Sequence, residues 1–204
     1  MILYSMPSSG NSYKARLLLA KLGLAYQHVD CEYGGGVTTS DAFRAKNPNG
    51  KVPLLELDDG RLISESNAIL LYLGDGTRFV PHDAFARSKV HQWMFWEQNY
   101  HEPTVAVRAA ILTYPQRAHL RVPEQLDPLL ESGHRVLGVM EAQLAKTPWL
   151  AGETMTVADI CLYGYTHSAG SKGQFDMTRF PAINDWLARV AADKPHVLLE
   201  DIRG

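Results

Sequence analysis

Val52-Pro53-Leu54-Leu55-Glu56-Leu57-Asp58-Asp59-Gly60-Arg61-Leu62-Ile63-Ser64-Glu65-Ser66-Asn67 decides the reading of the first part of the chain. Val52 to Leu57 and Arg61 to Ser64 flank Asp58-Asp59-Gly60, and Asp and Gly tolerate the positive φ that a tight hairpin requires. Ala68, Leu71 and Tyr72 then recur at helical spacing, so the stretch reads strand, strand, helix. Upstream, Ile2-Leu3-Tyr4 is a short strand, and Ala15, Leu18, Leu19 and Leu22 form a helical stripe that Gly23 can cap. Tyr26 to Cys31 has the aromatic and β-branched content of a second strand, Gly34-Gly35-Gly36 opens a loop, and Ser40 to Lys46 suits a short helix. The order is βαβα followed by ββα.

Downstream the strand signals vanish. Asp75 to Asp83 carries glycine and proline with little periodicity and reads as a linker. Helices are expected over about 84–113, bent near Pro103, and over about 123–145, 156–167 and 181–193. Thr156-Val157-Ala158-Asp159 has the pattern of a capping box, with Met155 and Ile160 placed as a hydrophobic staple. The expectation is an α/β domain over residues 1–76 and an all-α domain over 84–204.

The 204 residues are 46% hydrophobic and 21% charged, a composition that excludes a disordered tail protein. Twenty Lys plus Arg against 22 Asp plus Glu, with no basic cluster, argue against nucleic acid as a partner. No apolar run reaches the roughly 18 to 20 residues that cross a bilayer, and the N-terminal residues lack a signal-peptide pattern, so a cytoplasmic protein with no membrane partner is expected. Cys31 and Cys161 have neither disulfide-framework nor zinc-ligand spacing, and His101-Glu102 lacks a second His at zinc-helix spacing, so no metal is expected.

Two strand-to-helix junctions carry candidate chemistry. Met6-Pro7-Ser8-Ser9-Gly10-Asn11-Ser12 puts small hydroxyl and amide side chains at a helix N-terminus, where backbone amides and the helix dipole favour an anion. The alternative is that one of them caps the helix and the rest make a turn. Ser64-Glu65-Ser66-Asn67 starts another helix, which can take a carboxylate while Glu65 meets an ammonium. Together they suit a zwitterionic end and a thiolate.

Three separated motifs make the chain resemble the glutathione transferase family over essentially its full length. The first is the turn with Ser9, Asn11 and Tyr13-Lys14-Ala15-Arg16, similar to serine-type transferases and, at Asn11, to asparagine-bearing subfamilies. The second is Asn47-Pro48-Asn49-Gly50-Lys51-Val52-Pro53-Leu54-Leu55 followed by Glu65-Ser66-Asn67-Ala68-Ile69, where the family has a cis proline and an acid-serine pair holding the γ-glutamyl group. The third runs from Leu150-Ala151-Gly152 to Ala158-Asp159-Ile160. The resemblance implies a thioredoxin-like N-terminal domain, an all-α C-terminal domain and glutathione as co-substrate with no other cofactor.

A free thiol titrates near 8.5, so the protein must stabilise the anion. Ser9 and Asn11 are the catalytic candidates, as donors to sulfur. Ser12, Thr38, Lys51, Val52, Pro53, Glu65 and Ser66 are the candidates for holding glutathione. Val52 precedes a proline, which disfavours helical geometry and leaves its backbone available to a bound peptide; a proline that merely starts a strand is the alternative. The second substrate is expected to be a small hydrophobic electrophile, with Gln98, His101, Arg108 and Tyr163 as candidates among an aromatic stripe that also holds Trp93, Trp96 and Tyr100. Such a stripe also suits a core. Conjugation, peroxide or disulfide reduction, and non-catalytic ligand binding all remain open, and the resemblance implies a homodimer and a role in detoxification.

Overall fold

β1 (Ile2–Ser5) lies parallel to β2 (Gln27–Asp30) and antiparallel to β3 (Leu54–Glu56), which pairs in turn with β4 (Leu62–Ser64). The sheet order is β2-β1-β3-β4. The structure, a computed structural model, describes residues 1–202. A parallel pair needs a crossover, supplied here by α1 (Gly10–Leu22), whereas β3 and β4 join through the Asp58-Asp59-Gly60 turn. α2 (Asp41–Lys46) starts at Ser40, whose side chain accepts from the Phe43 amide, and α3 (Ser66–Gly74) packs on α1. Ser9 caps α1, its side chain accepting from the Ser12 amide, and Gly23 closes the helix at φ 65°. β3 is shorter than its apolar run because Pro53 has no amide to give the ladder. Leu3, Leu17, Leu18, Leu54, Leu55, Ile69 and Leu70 are buried at the centre of this first unit.

The chain divides into Met1–Thr77 with the segment from Asp193 onward, and Arg78–Ala192. The sequence-based boundary assigned everything from 84 to 204 to the helices; the segment from Asp193 instead packs with the first unit. Its ties are long-range side-chain bonds, which periodicity cannot reveal: Lys21 Nζ to Asp193 Oδ2 at 3.0 Å, Tyr13 hydroxyl to the Val197 carbonyl at 2.7 Å, and Arg16 to the Leu199 carbonyl. The linker is also more committed than its composition suggests. Phe79 is fully buried in the second unit, and its carbonyl accepts from the Val157 amide at 3.0 Å.

The second unit comprises α4 (Ala84–Trp96), α5 (Val107–Thr113), α6 (Pro123–Leu144), α7 (Val157–Thr166) and α8 (Pro181–Ala192). Between α4 and α5 the chain stays helical through a π-helical stretch, Glu97–Ala106, that contains Pro103. A proline removes one ladder donor and displaces the carbonyl a turn earlier, and the helix is widened at the place where the sequence led us to expect a disturbance. The Thr156–Asp159 capping box is present, and Asp159 also accepts from the Leu150 amide and the Trp186 indole, both at 3.0 Å. Burial pushes this carboxyl upward in pKa, against the pull of its donors. Among the described residues no helix is long and apolar enough to cross a membrane.

Candidate functional site

The turn between β1 and α1 is held by bonds from several directions. Ser9 N–H donates to the Met6 carbonyl at 3.0 Å, and Met6 N–H donates to the Ser12 hydroxyl at 3.1 Å. Ser12 is fully buried, so its side chain serves to close the turn. Ser9 Oγ accepts from the Ser12 amide at 3.3 Å, the N-cap geometry, and an oxygen engaged as acceptor still has its own proton to donate outward. Cap and thiol donor are therefore compatible roles for one hydroxyl.

Two residues organise this turn: Glu32, which sequence reasoning passed over, and Arg16, which it quoted in the motif without assigning a role. Glu32, just past β2, accepts from Ser8 N–H at 3.1 Å and Ser8 Oγ–H at 2.8 Å. Burial pushes its carboxyl up, but the Tyr33 and Ser8 donors and the Arg16 charge outweigh it and hold the group below its ordinary range. Arg16, buried within α1, donates to the Met6 carbonyl at 3.2 Å, the Pro7 carbonyl at 2.9 Å and the Ser5 hydroxyl. The available signal was an arginine inside the apolar stripe of α1.

Asn11 sits in the first turn of α1 and Ser66 is the first residue of α3; Ser66 Oγ–H donates to Asn11 Oδ1 at 3.2 Å. Two helix N-termini, each a partial positive charge, thus meet side by side. Ser66 is buried, whereas Glu65 is exposed. Glu65 holds φ 70° and ψ 119°, a region that disfavours residues with a Cβ. Its carbonyl accepts from Ile69 N–H at 3.0 Å, so the helix starts on a residue whose own backbone is not helical.

The Val52–Pro53 peptide bond is cis. The loop before it is built by Asn47, which is buried and donates from Nδ2 to the Lys51 carbonyl at 2.8 Å while accepting from Asn49 N–H. Gly50 has φ 61°, and a Cβ there would lie 3.1 Å from the Thr38 carbonyl, so the Thr38 turn and the loop before Pro53 are in close approach. Lys51 is exposed; Thr38 and Val52 are half-buried.

The candidates for the second substrate do not form one cluster. Gln98 is exposed. His101 is fully buried, with Nε2 2.9 Å from the Thr166 hydroxyl. Arg108 is buried, donating to the Gly173 carbonyl at 2.8 Å and the Leu126 carbonyl at 2.6 Å, with its guanidinium over the Phe175 ring. Tyr163 stacks on His167, lies edge-on to Trp186 and has its phenol pKa raised by burial. Internal partners engage the side chains of His101, Arg108 and Tyr163, which pack within the helical unit. Two adjoining grooves open on this unit, sharing Trp96 and Val139, with Trp93 lining one and Tyr100 the other.

The chain's own thiols are unsuited to nucleophilic work. Cys31 is buried, and burial pushes its thiol up to about 11; Cys161 is also buried.

The glutathione S-transferase N-terminal domain family matches residues 3–76, and its C-terminal domain family matches residues 105–194. A crystal structure of a glutathione S-transferase from Pseudomonas fluorescens Pf-5 superposes with a TM-score of 0.93 at 46% identity, covering 98% of each chain. The disulfide-bond oxidoreductase YfcG of Escherichia coli K12 is 28% identical over 92% of this chain and 88% of its own. The transferase URE2P6 of Phanerochaete chrysosporium, solved in complex with oxidized glutathione, is 26% identical with a TM-score of 0.83, covering 95% of this chain and 91% of that one. With both domain families matched in order and near-complete superposition on a transferase, the chain belongs to the glutathione S-transferase family.

Proposed function

We propose that this protein binds glutathione in its first unit and activates the thiol for attack on a small hydrophobic electrophile. The observation that carries the reading is the meeting of two helix N-termini at Asn11 and Ser66, with Glu65 beside them. The γ-glutamyl carboxylate is placed at the start of α3 on Ser66, and its ammonium on Glu65. The Val52 backbone, held by the cis Pro53, pairs with the cysteinyl backbone, and Lys51 and Thr38 lie toward the glycyl end. Ser9 Oγ–H donates to sulfur, Asn11 is the second candidate donor, and Ser12 supports both through the turn. The thiol proton is released, a sulfur–carbon bond forms, and the leaving group departs with its electron pair. Orientation and anion stabilisation are the protein's contribution, with glutathione as co-substrate and no other cofactor. The chain is proposed to be a cytoplasmic homodimer acting in detoxification. The exposed Phe85, Phe95 and Tyr100 offer an apolar surface to a second copy.

A second reading, thiol-disulfide exchange with glutathione, is favoured by Asn11 and by the likeness to YfcG. Retention on immobilised glutathione, followed by turnover of an aryl halide, a hydroperoxide and a mixed disulfide, separates the readings. Turnover of the aryl halide supports conjugation, and turnover of the mixed disulfide alone supports exchange. Retention with no turnover of any substrate indicates a binding module, and absence of retention overturns all of these.

A further inference from the structure

The segment that returns to the first unit is tied through Arg16 to the turn that carries Ser9. Lys21 holds its beginning at Asp193, Tyr13 holds the Val197 carbonyl, and Arg16 holds the Leu199 carbonyl. The Leu199 side chain is buried, while its neighbour Leu198 is 63% exposed. Arg16 joins this strap to the turn. Its Nη1 donates to Ser5 Oγ and the Met6 carbonyl, and its Nη2 donates to the carbonyls of Pro7 and Leu199. The four protons on its terminal nitrogens thus meet four acceptors, one at the end of β1, two in the turn and one on the strap. The Met6 carbonyl also accepts from Ser9 N–H, so the carbonyl that Arg16 grips is the one that positions Ser9.

We propose that Arg16 is a positioning residue for thiol activation, coupling the docked C-terminal strap to the placement of the Ser9 hydroxyl. The inference rests on the glutathione reading above. A guanidinium is required because its planar fork can address acceptors on two separate segments at once, whereas an ammonium is a point charge with three donors. Leu199, 183 residues from Arg16 in sequence, thereby becomes part of the apparatus that sets the sulfur donor's geometry.

The test uses the full chain with Arg16→Lys, Leu199→Ala and the exposed control Leu198→Ala. Glutathione affinity, the pH titration of the bound thiolate's ultraviolet absorbance, kcat with the electrophile and thermal stability are read for each. Arg16→Lys keeps the positive charge, so a change in thiol titration reports geometry rather than loss of field. We expect kcat to fall roughly 10-fold in Arg16→Lys and roughly 3-fold in Leu199→Ala, with the bound thiol titrating at higher pH in both and Leu198→Ala matching wild type. If both folded variants titrate and turn over as wild type does, with only thermal stability reduced, Arg16 is a fold staple and the proposal is overturned. Should Arg16→Lys fail to fold, Leu199→Ala decides by the same readouts. Failure of the wild-type protein to bind glutathione removes the underlying reading and this proposal together, and is seen before any variant is compared.

Discussion

Replacing Ser9 by alanine removes two things that the geometry allows to be measured apart. The Ser12 amide loses the acceptor it has at 3.3 Å, and Ser12 is fully buried, so the lost cap costs about 1 to 2 kcal/mol. In a chain of this size that lowers Tm by roughly 2 to 8 °C. The turn survives, because Ser9 N–H still reaches the Met6 carbonyl and Met6 N–H still reaches Ser12. The second loss is the proposed donor to sulfur, expected to raise the pH at which the bound thiol titrates and to cut kcat by roughly 10- to 1,000-fold. Ser40→Ala is the matched control, since Ser40 caps α2 by the same bond, to Phe43 N–H at 3.2 Å, outside the β1–α1 turn. It should lower stability similarly and leave kcat unchanged. Thiolate absorbance against pH, with saturating glutathione, measures the activation directly. Equal titration and equal kcat in Ser9→Ala and Ser40→Ala would refute Ser9 as the donor. If Asn11→Ala alone then moves the titration, the amide is the activating group.

Glu65→Ala and Ser66→Ala should each weaken glutathione binding by about 1 to 3 kcal/mol by calorimetric titration; unchanged affinity with reduced thermal stability would reduce Ser66 to a helix-start residue. Because donors hold the Glu32 carboxyl below its ordinary pKa, its contribution to stability is present above the unfolded value of about 4.3 and is lost as pH falls through the folded value. The stability difference between wild type and Glu32→Gln should therefore be constant near neutral pH and shrink in acid, and a difference that persists undiminished to the acid-unfolding limit removes the argument. Light scattering should give about twice the 22.7 kDa chain mass at micromolar concentration, and a mass equal to one chain defeats the proposed dimer.

Local signals carried most of the first unit. Asp58-Asp59-Gly60 between two apolar runs forms the hairpin, Ser40 starts α2 and Gly23 ends α1, because each depends on the backbone preference of a few adjacent residues. The two strand-to-helix junctions were legible as separate features, but nothing local says that Asn11 and Ser66 lie 3.2 Å apart; that distance follows from the sheet order and the packing of α3 on α1. Glu32 escaped notice and Arg16 was quoted without a role for a related reason, since a carboxylate after a strand and an arginine in a helix are unremarkable until their partners are known. In the second unit, spacing identified the helices but not the environment of each side chain. His101 and Arg108 looked like Trp96 and Tyr100 in sequence, yet the first pair is sealed by buried acceptors and the second lines grooves.

Glu65 puts stability and function in opposition at a single backbone position. Its φ of 70° is one that glycine occupies at little cost, and holding a larger residue in such a region costs on the order of 1 to 3 kcal/mol. Selection for heat resistance alone would favour glycine there, and would remove the carboxylate proposed to meet the γ-glutamyl ammonium. Glu65→Gly is therefore expected to raise thermal stability while weakening glutathione binding, two readouts that move in opposite directions from one substitution.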